Sequence, residues 1–200
     1  MAIEAPLNID CFPNDQGRFD PRYAVDDKKA RDYFEEASGR KYANAGIFNP
    51  RRGHLPVGGH FFRFCDSRSK SLDGGWWVNE ETFLRVRAFA RRHGHIADFS
   101  RTVAVSPLAY AAKLHLAVPF EWGDCDHVVE ARLVRRLDAY AGYGNVAFLA
   151  DDDRRRDPRD GGAKYIPVQQ KLAQLFIPDM KLHFRAAMKV MREGPGSMFG

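Results

Sequence analysis

Residues 59–78 read GHFFRFCDSRSKSLDGGWWV. His60-Phe61-Phe62 and Phe64-Cys65 form an apolar run of the kind a buried strand carries, and Arg63 interrupts it. A guanidinium keeps its charge, so it is almost never buried unless a carboxylate or phosphate pairs with it. Two placements follow. Arg63 sits exposed or ion-paired on an edge strand, or it is held inside to meet an anion. Past the strand come Ser67, Ser69 and Ser71, and then a Gly74-Gly75-Trp76-Trp77 turn.

The chain before this segment is broken up. Pro6, Pro13 and Pro21, set among Asn, Asp and Gly, predict an irregular N-terminal arm over residues 1–25. Asp26-Asp27 then open a short helix whose Ala30, Tyr33, Phe34 and Ala37 share one face, and Gly39 ends it. From Tyr42 to Gly59, the residues Asn49-Pro50, Gly53, Pro56 and Gly58-Gly59 predict a loop.

Downstream the period changes to that of a helix. Asn79 is an N-cap, Glu80 and Glu81 suit the first turn, and Phe83, Val86, Phe89 and Ala90 recur at helical spacing until Gly94. Arg85, Arg87, Arg91 and Arg92 occupy the other faces, as a solvated surface or, alternatively, as a phosphate-binding one. Residues 98–118 predict further helix, restarted at Ser106-Pro107, with Leu108, Ala111, Ala112, His115 and Leu116 inside.

The second half turns to strands. Residues 127–142 alternate, with Val129, Ala131 and Leu133 facing one way and Val128, Glu130 and Arg132 the other, as a strand with a short extension; helix is the competing reading, Gly142 and Gly144 are the turn, and GNVAFLA is a brief second strand. Residues 151–162, DDDRRRDPRDGG, predict a mobile charged surface loop. LFIP reads as a strand closed by Pro178. A closing helix follows over Met180–Arg192, with Phe184, Met188 and Met191 inside, and residues 193–200 are a C-terminal tail. These elements predict one α+β domain over residues 26–192, with a central, mainly antiparallel sheet flanked by helices.

Composition narrows the classes. Two hundred residues at 44% hydrophobic content can build one core, and two domains would be cramped. No apolar run spans a bilayer, and MAIEAPLNID lacks a signal-peptide profile, so no membrane partner and a cytoplasmic location are expected. Delivery into another cell without a signal peptide stays open. Cys11, Cys65 and Cys125 are odd in number and far apart, which predicts neither a disulfide framework nor a metal site. A net charge of +5 from 31 basic and 26 acidic residues is a mixed surface with room for an anionic partner. GxGxxG, Walker A, HExxH and GxSxG are absent. A set of Ser67, His60 and Asp66 can be composed as a catalytic triad, but only by free choice among many candidates.

Taken together, FFRF with Arg63, the serine-bearing SKSLDGGWWV, a helix, VVEARLVRRLDAYAGYGN, and AQLFIP with Gln174 before a strand resemble the ADP-ribosyltransferase superfamily. The likeness covers about residues 55–180 and is to the divergent branch of bacterial toxins and NAD glycohydrolases in which Gln replaces the catalytic Glu. It implies a split antiparallel sheet and NAD as substrate. It also implies a toxin or effector that passes ADP-ribose to a macromolecular target or to water, with an immunity or antitoxin protein as partner. The usual Ser-Thr-Ser is replaced by Ser67, Ser69 and Ser71, and no Glu-x-Glu precedes the last strand.

Cleaving NAD at its nicotinamide bond passes through an oxocarbenium-like sugar. The site therefore needs a pyrophosphate anchor, a flat ring surface and a polar group on the ribose. Arg63 suits the first by its planar fork. Trp77, ahead of Trp76, suits the second, although either indole can instead be core. Gln174 suits the third by hydrogen bonding, with Glu130 as the spare carboxylate if it reaches the same cleft. Catalytic roles thus fall to Arg63, Gln174 and Glu130, and NAD contacts to Arg63, Ser67, Ser69, Trp76 and Trp77, with no metal. Two other classes stay open. One is a nucleic-acid-binding or modifying protein using residues 85–92, Arg154, Arg155 and Arg156 and the closing helix. The other is an assembly protein whose residues 59–78 form an interface.

Overall fold

The computed structural model describes residues 5–12, 28–42, 44–148, 159, 165–166 and 172–200. Seven strands form one mixed-order sheet: β1 (Ile47–His54), β5 (Asp138–Gly144), β8 (Ala173–Phe176), β3 (Trp76–Asn79), β2 (His60–Cys65), β4 (His127–Leu133) and β9 (Met188–Pro195), in that spatial order. Every adjacent pair is antiparallel. A second ladder joins the two-residue strands β6 (Ala147–Phe148) and β7 (Tyr165–Ile166). The chain is an α+β fold with helices α1 (Lys28–Ala37), α2 (Glu80–Arg92), α3 (Gly94–Thr102), α4 (Pro107–Leu116) and α5 (Met180–Ala187).

The sheet is weakest at its centre. β2 pairs with β4 over the whole run from His60↔Arg132 to Cys65↔His127, yet it meets β3 only at Phe61↔Asn79 and Phe62↔Val78. Beyond that point the two strands part, and Arg63, Phe64 and Cys65 face the gap.

The two faces are packed differently. On one, Phe61, Trp77, Val129, Leu133 and Leu175 join Met180 and Phe184 of α5 in a continuous core. The other carries two separate cores. Phe62, Val78 and Val128 pack under Phe83 and Val86 of α2 and Leu108, Ala111 and Ala112 of α4. Ile47, Tyr140 and Phe176 pack under Phe34 and Ala37 of α1 together with Cys11 and Phe12. Each fully buried aliphatic or aromatic side chain contributes about 1.5–3 kcal/mol, so both half-cores hold their helices firmly. The space between them is left uncovered.

Local chemistry explains the helix starts. The Asn79 side chain accepts from the Thr82 N–H at 2.9 Å, and Ser106 caps Ala109 with Pro107 at the first helical position. Gly39, with φ +75°, ends the turn after α1 as expected. Asp26 and Asp27 lie outside the described residues, as does the 151–162 loop apart from Arg159.

Several expectations are corrected. The segment from Tyr42 to Gly59 contains strand β1, because Asn49 (φ 50°) and Pro50 fall in a register shift between Phe48 and Arg51. On an edge strand a bulge absorbs turn residues that would break a central one. Gly142 and Gly144 are not a turn: β4 and β5 are joined at residues 134–137, and both glycines lie within β5. A side chain at Gly142 would lie 2.5 Å from Ile47 Cγ2. The closing helix stops at Ala187, and residues 188–195, expected as helix end and tail, form β9 along the open edge of β4. Edge pairing overrides the helical spacing of Met188 and Met191, and Met191 is exposed. Phe199, also in the expected tail, is buried. The described part of the N-terminal arm, residues 5–12, is packed in, with the Asn8 side-chain amide bonded to both the N–H and the carbonyl of Asp138.

Candidate functional site

The gap in the sheet and the gap between the half-cores meet in one cleft of about 220 Å³. Arg63 of β2, Trp76 of β3, Gln174 of β8, Phe62, Phe64, Trp122 and Asn145 line it. A second hollow of about 430 Å³ continues outward past Trp76 and Trp122 to Asn44 and Glu36 of α1. Of the residues expected at the site, the fold brings Arg63, Gln174 and Trp76 together.

Arg63 is not exposed or ion-paired on an edge strand; it is held half-buried inside the sheet. Its strand is central, and among the described residues no carboxylate pairs with it. Instead Nε donates to the Ser71 carbonyl at 3.0 Å and Nη1 to the Trp76 carbonyl at 2.9 Å. The guanidinium thus occupies the place of the ladder hydrogen bonds lost where β2 and β3 separate. Carbonyls carry only partial charge, so the full positive charge remains to be countered. Gly74 makes the seat: a Cβ there would lie 1.9 Å from Arg63 Nη2.

Gln174 is held in a matching way. Its Nε2 donates to the Leu116 carbonyl at the end of α4 at 3.1 Å, which fixes the amide and turns Oε1 into the acceptor on offer. A Cβ at Gly144 would lie 2.2 Å from that Nε2. Arg63 and Gln174 are therefore each seated against a glycine. Those glycines were visible in the sequence as DGGWW and GYGN, and the signal for them is a glycine inside or beside a strand.

The tryptophans divide their roles. Trp77 is 2% exposed, stacks on Phe184 and donates from Nε1 to the Gly74 carbonyl at 2.8 Å, so its indole is core. The preference for Trp77 is corrected in favour of Trp76, whose half-buried indole stands on the cleft side and tilts against Phe176 at 5.1 Å. Trp122, at 46% exposure, offers a second indole at the same opening. It was missed because it lies in a short 3-10 turn, Phe120–Trp122, with no pattern around it.

The remaining expected residues lie elsewhere. Glu130 is opposite Phe62 but away from the cleft, bonded to His60 Nδ1 at 2.8 Å and 3.6 Å from Arg192 Nε. Ser67 donates from its backbone N–H and its hydroxyl to the carboxylate of Asp124. Ser69 caps the turn begun by Asp66, its N–H donating to Asp66 Oδ1 at 3.3 Å. Both serines shape the 66–71 connection and do not line the cleft. Burial pushes the Asp124 carboxyl up, but its bonds from Ser67 and from the Asp126 N–H outweigh this and hold it below the usual carboxylate range. The Ser67, His60 and Asp66 set is not assembled, since His60 turns to Glu130.

Cys125 also borders the cleft, and burial pushes its thiol up, which disfavours a thiolate nucleophile. Three of the four helical arginines have local partners: Arg85 pairs with Glu81 at 2.6 Å, Arg87 lies over Phe83, and Arg91 bonds the Gly200 carbonyl. Arg154, Arg155 and Arg156 lie outside the described residues. Among the described residues no helix is long and apolar enough to cross a membrane.

No protein-family model matches the chain, and no curated protein matches it. Among solved structures it is similar to "Rhs1-CT in complex with cognate immunity protein RhsI1", at 14% identity and a TM-score of 0.39, over 74% of this chain and 82% of that one. A likeness that slight carries no argument about fold or function.

Proposed function

We propose that the cleft binds NAD and cleaves its nicotinamide–ribose bond, passing ADP-ribose to a macromolecular target or to water. The observation that carries this reading is the meeting of Arg63, Trp76 and Gln174 at the point where the sheet splits. Those residues come from three strands, and Gln174 is distant in sequence from the other two, so their meeting is a product of the fold. With Nε and one Nη1 proton engaged, Arg63 still has donors for the oxygens of a diphosphate. The indoles of Trp76 and Trp122 suit a cationic pyridinium ring, which the electron-rich face of indole attracts. Gln174 Oε1 accepts from a ribose hydroxyl. The inner cleft of about 220 Å³ is extended by the outer hollow of about 430 Å³. A toxin or effector role, with an immunity or antitoxin protein as partner, belongs to the same proposal and rests on the motif resemblance alone.

The test is to incubate the purified chain with NAD, with and without cell extract as a source of acceptors, and to measure free nicotinamide. Arg63→Ala and Gln174→Ala, each checked by circular dichroism, are expected to lose turnover by at least about tenfold, the scale of one lost charge-assisted or oriented hydrogen bond. Trp77→Phe is expected to keep turnover, and Trp76→Ala to raise KM. No nicotinamide from the wild type in either condition sinks the proposal.

A further inference from the structure

Among the described residues of the inner cleft, one group that the proposed chemistry needs is absent. A nucleophile that attacks C1′ of the ribose must lose a proton, and a neutral amide such as Gln174 is too weak a base to take it. Glu130 is tied to His60 and borders neither hollow. Among the described residues lining the inner cleft and the outer hollow, Glu36 is the one carboxylate. It lies on the last turn of α1, facing the hollow that Trp76, Trp122, Ala45 and Gly46 share with the inner cleft.

Resting on the NAD reading of this site, we infer that Glu36 is the general base that activates the acceptor, and that the outer hollow is the acceptor subsite. The two indoles divide the space. Trp76 borders both hollows, so a ring and ribose seated inside leave the C1′ face directed outward, toward the side where Glu36 stands. The Glu36 carboxylate is half-buried and is held by Lys41 Nζ at 3.0 Å through Oε2. That contact orients it and leaves Oε1 for the incoming hydroxyl. In the step, the acceptor oxygen bonds to C1′ while the C1′–N1 bond breaks. The bonding pair goes to the pyridinium, which leaves as neutral nicotinamide, and the acceptor proton passes to Glu36 and then to solvent. Charge and atoms balance with no other reactant.

The placement also gives α1 a task beyond covering Phe176 and Tyr140. Its buried face, Ala30, Phe34 and Ala37, fixes the helix on the sheet, and Glu36 lies next to that face where it turns toward the hollow. Gly39 and Gly46 then let the following connection fold back tightly: a Cβ on either would collide with the backbone of the other's neighbourhood at 2.2 Å. Ala45 and Gly46 are thereby kept as the low rim between the two hollows.

The experiment compares wild type, Glu36→Gln and Glu36→Ala for NAD affinity by calorimetry and for nicotinamide release, with sodium formate added to the Glu36→Ala reactions. Both variants are expected to bind NAD within about threefold of wild type and to release nicotinamide at least about a hundredfold more slowly, within the range general-base catalysis supplies. Formate, a small carboxylate, is expected to restore a measurable part of the lost rate in Glu36→Ala and none in Glu36→Gln, where the amide fills the space. A structural role would not respond to formate. Wild-type turnover with Glu36→Gln within twofold of it overturns this inference and leaves the NAD reading standing. A wild type that neither binds NAD nor releases nicotinamide overturns both.

Discussion

Arg52 and Arg63 leave strands of the same sheet and are treated in opposite ways. Arg52, on edge strand β1, meets the carboxylate of Asp138, with Nε and Nη2 both 2.7 Å from Oδ2. Asp138 is wholly buried, receives a further contact from His54 Nδ1 at 2.6 Å, and has its backbone bracketed by the Asn8 side chain. That cluster is closed. Arg63, on central strand β2, has two carbonyls and no carboxylate among the described residues, and it borders a cleft. A buried pair of opposite charges is a staple, because desolvation of each is offset by the other. A guanidinium bonded only to carbonyls retains its field, and that field is available to a ligand.

Breaking the closed cluster is expected to cost most. Asp138→Ala leaves Arg52 without its carboxylate and the Asn8 contacts distorted, and urea unfolding is expected to show a loss of about 4 kcal/mol. Next comes Trp77→Ala, with a cavity in the continuous core costing about 3 kcal/mol by the same measurement. The open side should respond less in stability and more in binding. Gly74→Ala places a methyl against Arg63 Nη2, and losing its carbonyl bonds is expected to lower stability by about 2 kcal/mol and to weaken NAD binding measured by calorimetry. Gly144→Ala displaces Gln174 at a cost of about 1 kcal/mol, with nicotinamide release falling and NAD binding weakened through the lost ribose contact. If Gly74→Ala and Asp138→Ala cost the same, the two arginines are equivalent staples and the contrast fails.

The smallest effect sharpens the contrast from a third position. His115 is buried against Phe89 at 4.2 Å, and among the described residues neither ring nitrogen has a hydrogen-bond partner. Burial, with a smaller contribution from His93, pushes its imidazole below the usual value of 6.5. The unfolded chain therefore binds a proton near pH 6.5 that the folded chain refuses. Stability is expected to be intact above that pH and to fall as acid is added below it, down toward the folded-state value. His115→Phe should flatten this part of the curve of stability against pH.

Much of the helical half was legible from single residues. Asn79 and Ser106-Pro107 mark helix starts whose chemistry is local, and the structure places α2 and α4 where they predict. The strands were harder. β1 hid behind Asn49-Pro50 because a bulge on an edge strand tolerates what a central strand does not, and β9 hid inside a helical spacing because the open edge of β4 outbid it. At the site, Arg63 could be singled out because charge within an apolar run is costly wherever it lands. Trp122, Glu36 and Asn145 could not, since an isolated aromatic or polar residue carries no signal until the fold gives it neighbours.

The sequence by itself determined that one α+β domain forms, that α2 begins at Asn79, and that Arg63 needs an explanation, because capping, periodicity and the cost of burying charge act within a few residues of one another. Only the tertiary structure decided that β2 and β3 separate after Phe62, that Trp77 is core while Trp76 faces the cleft, and that Glu130 belongs to His60. Which face of a strand is covered depends on register and on which helix lands there, and both are set by contacts between segments distant in the chain.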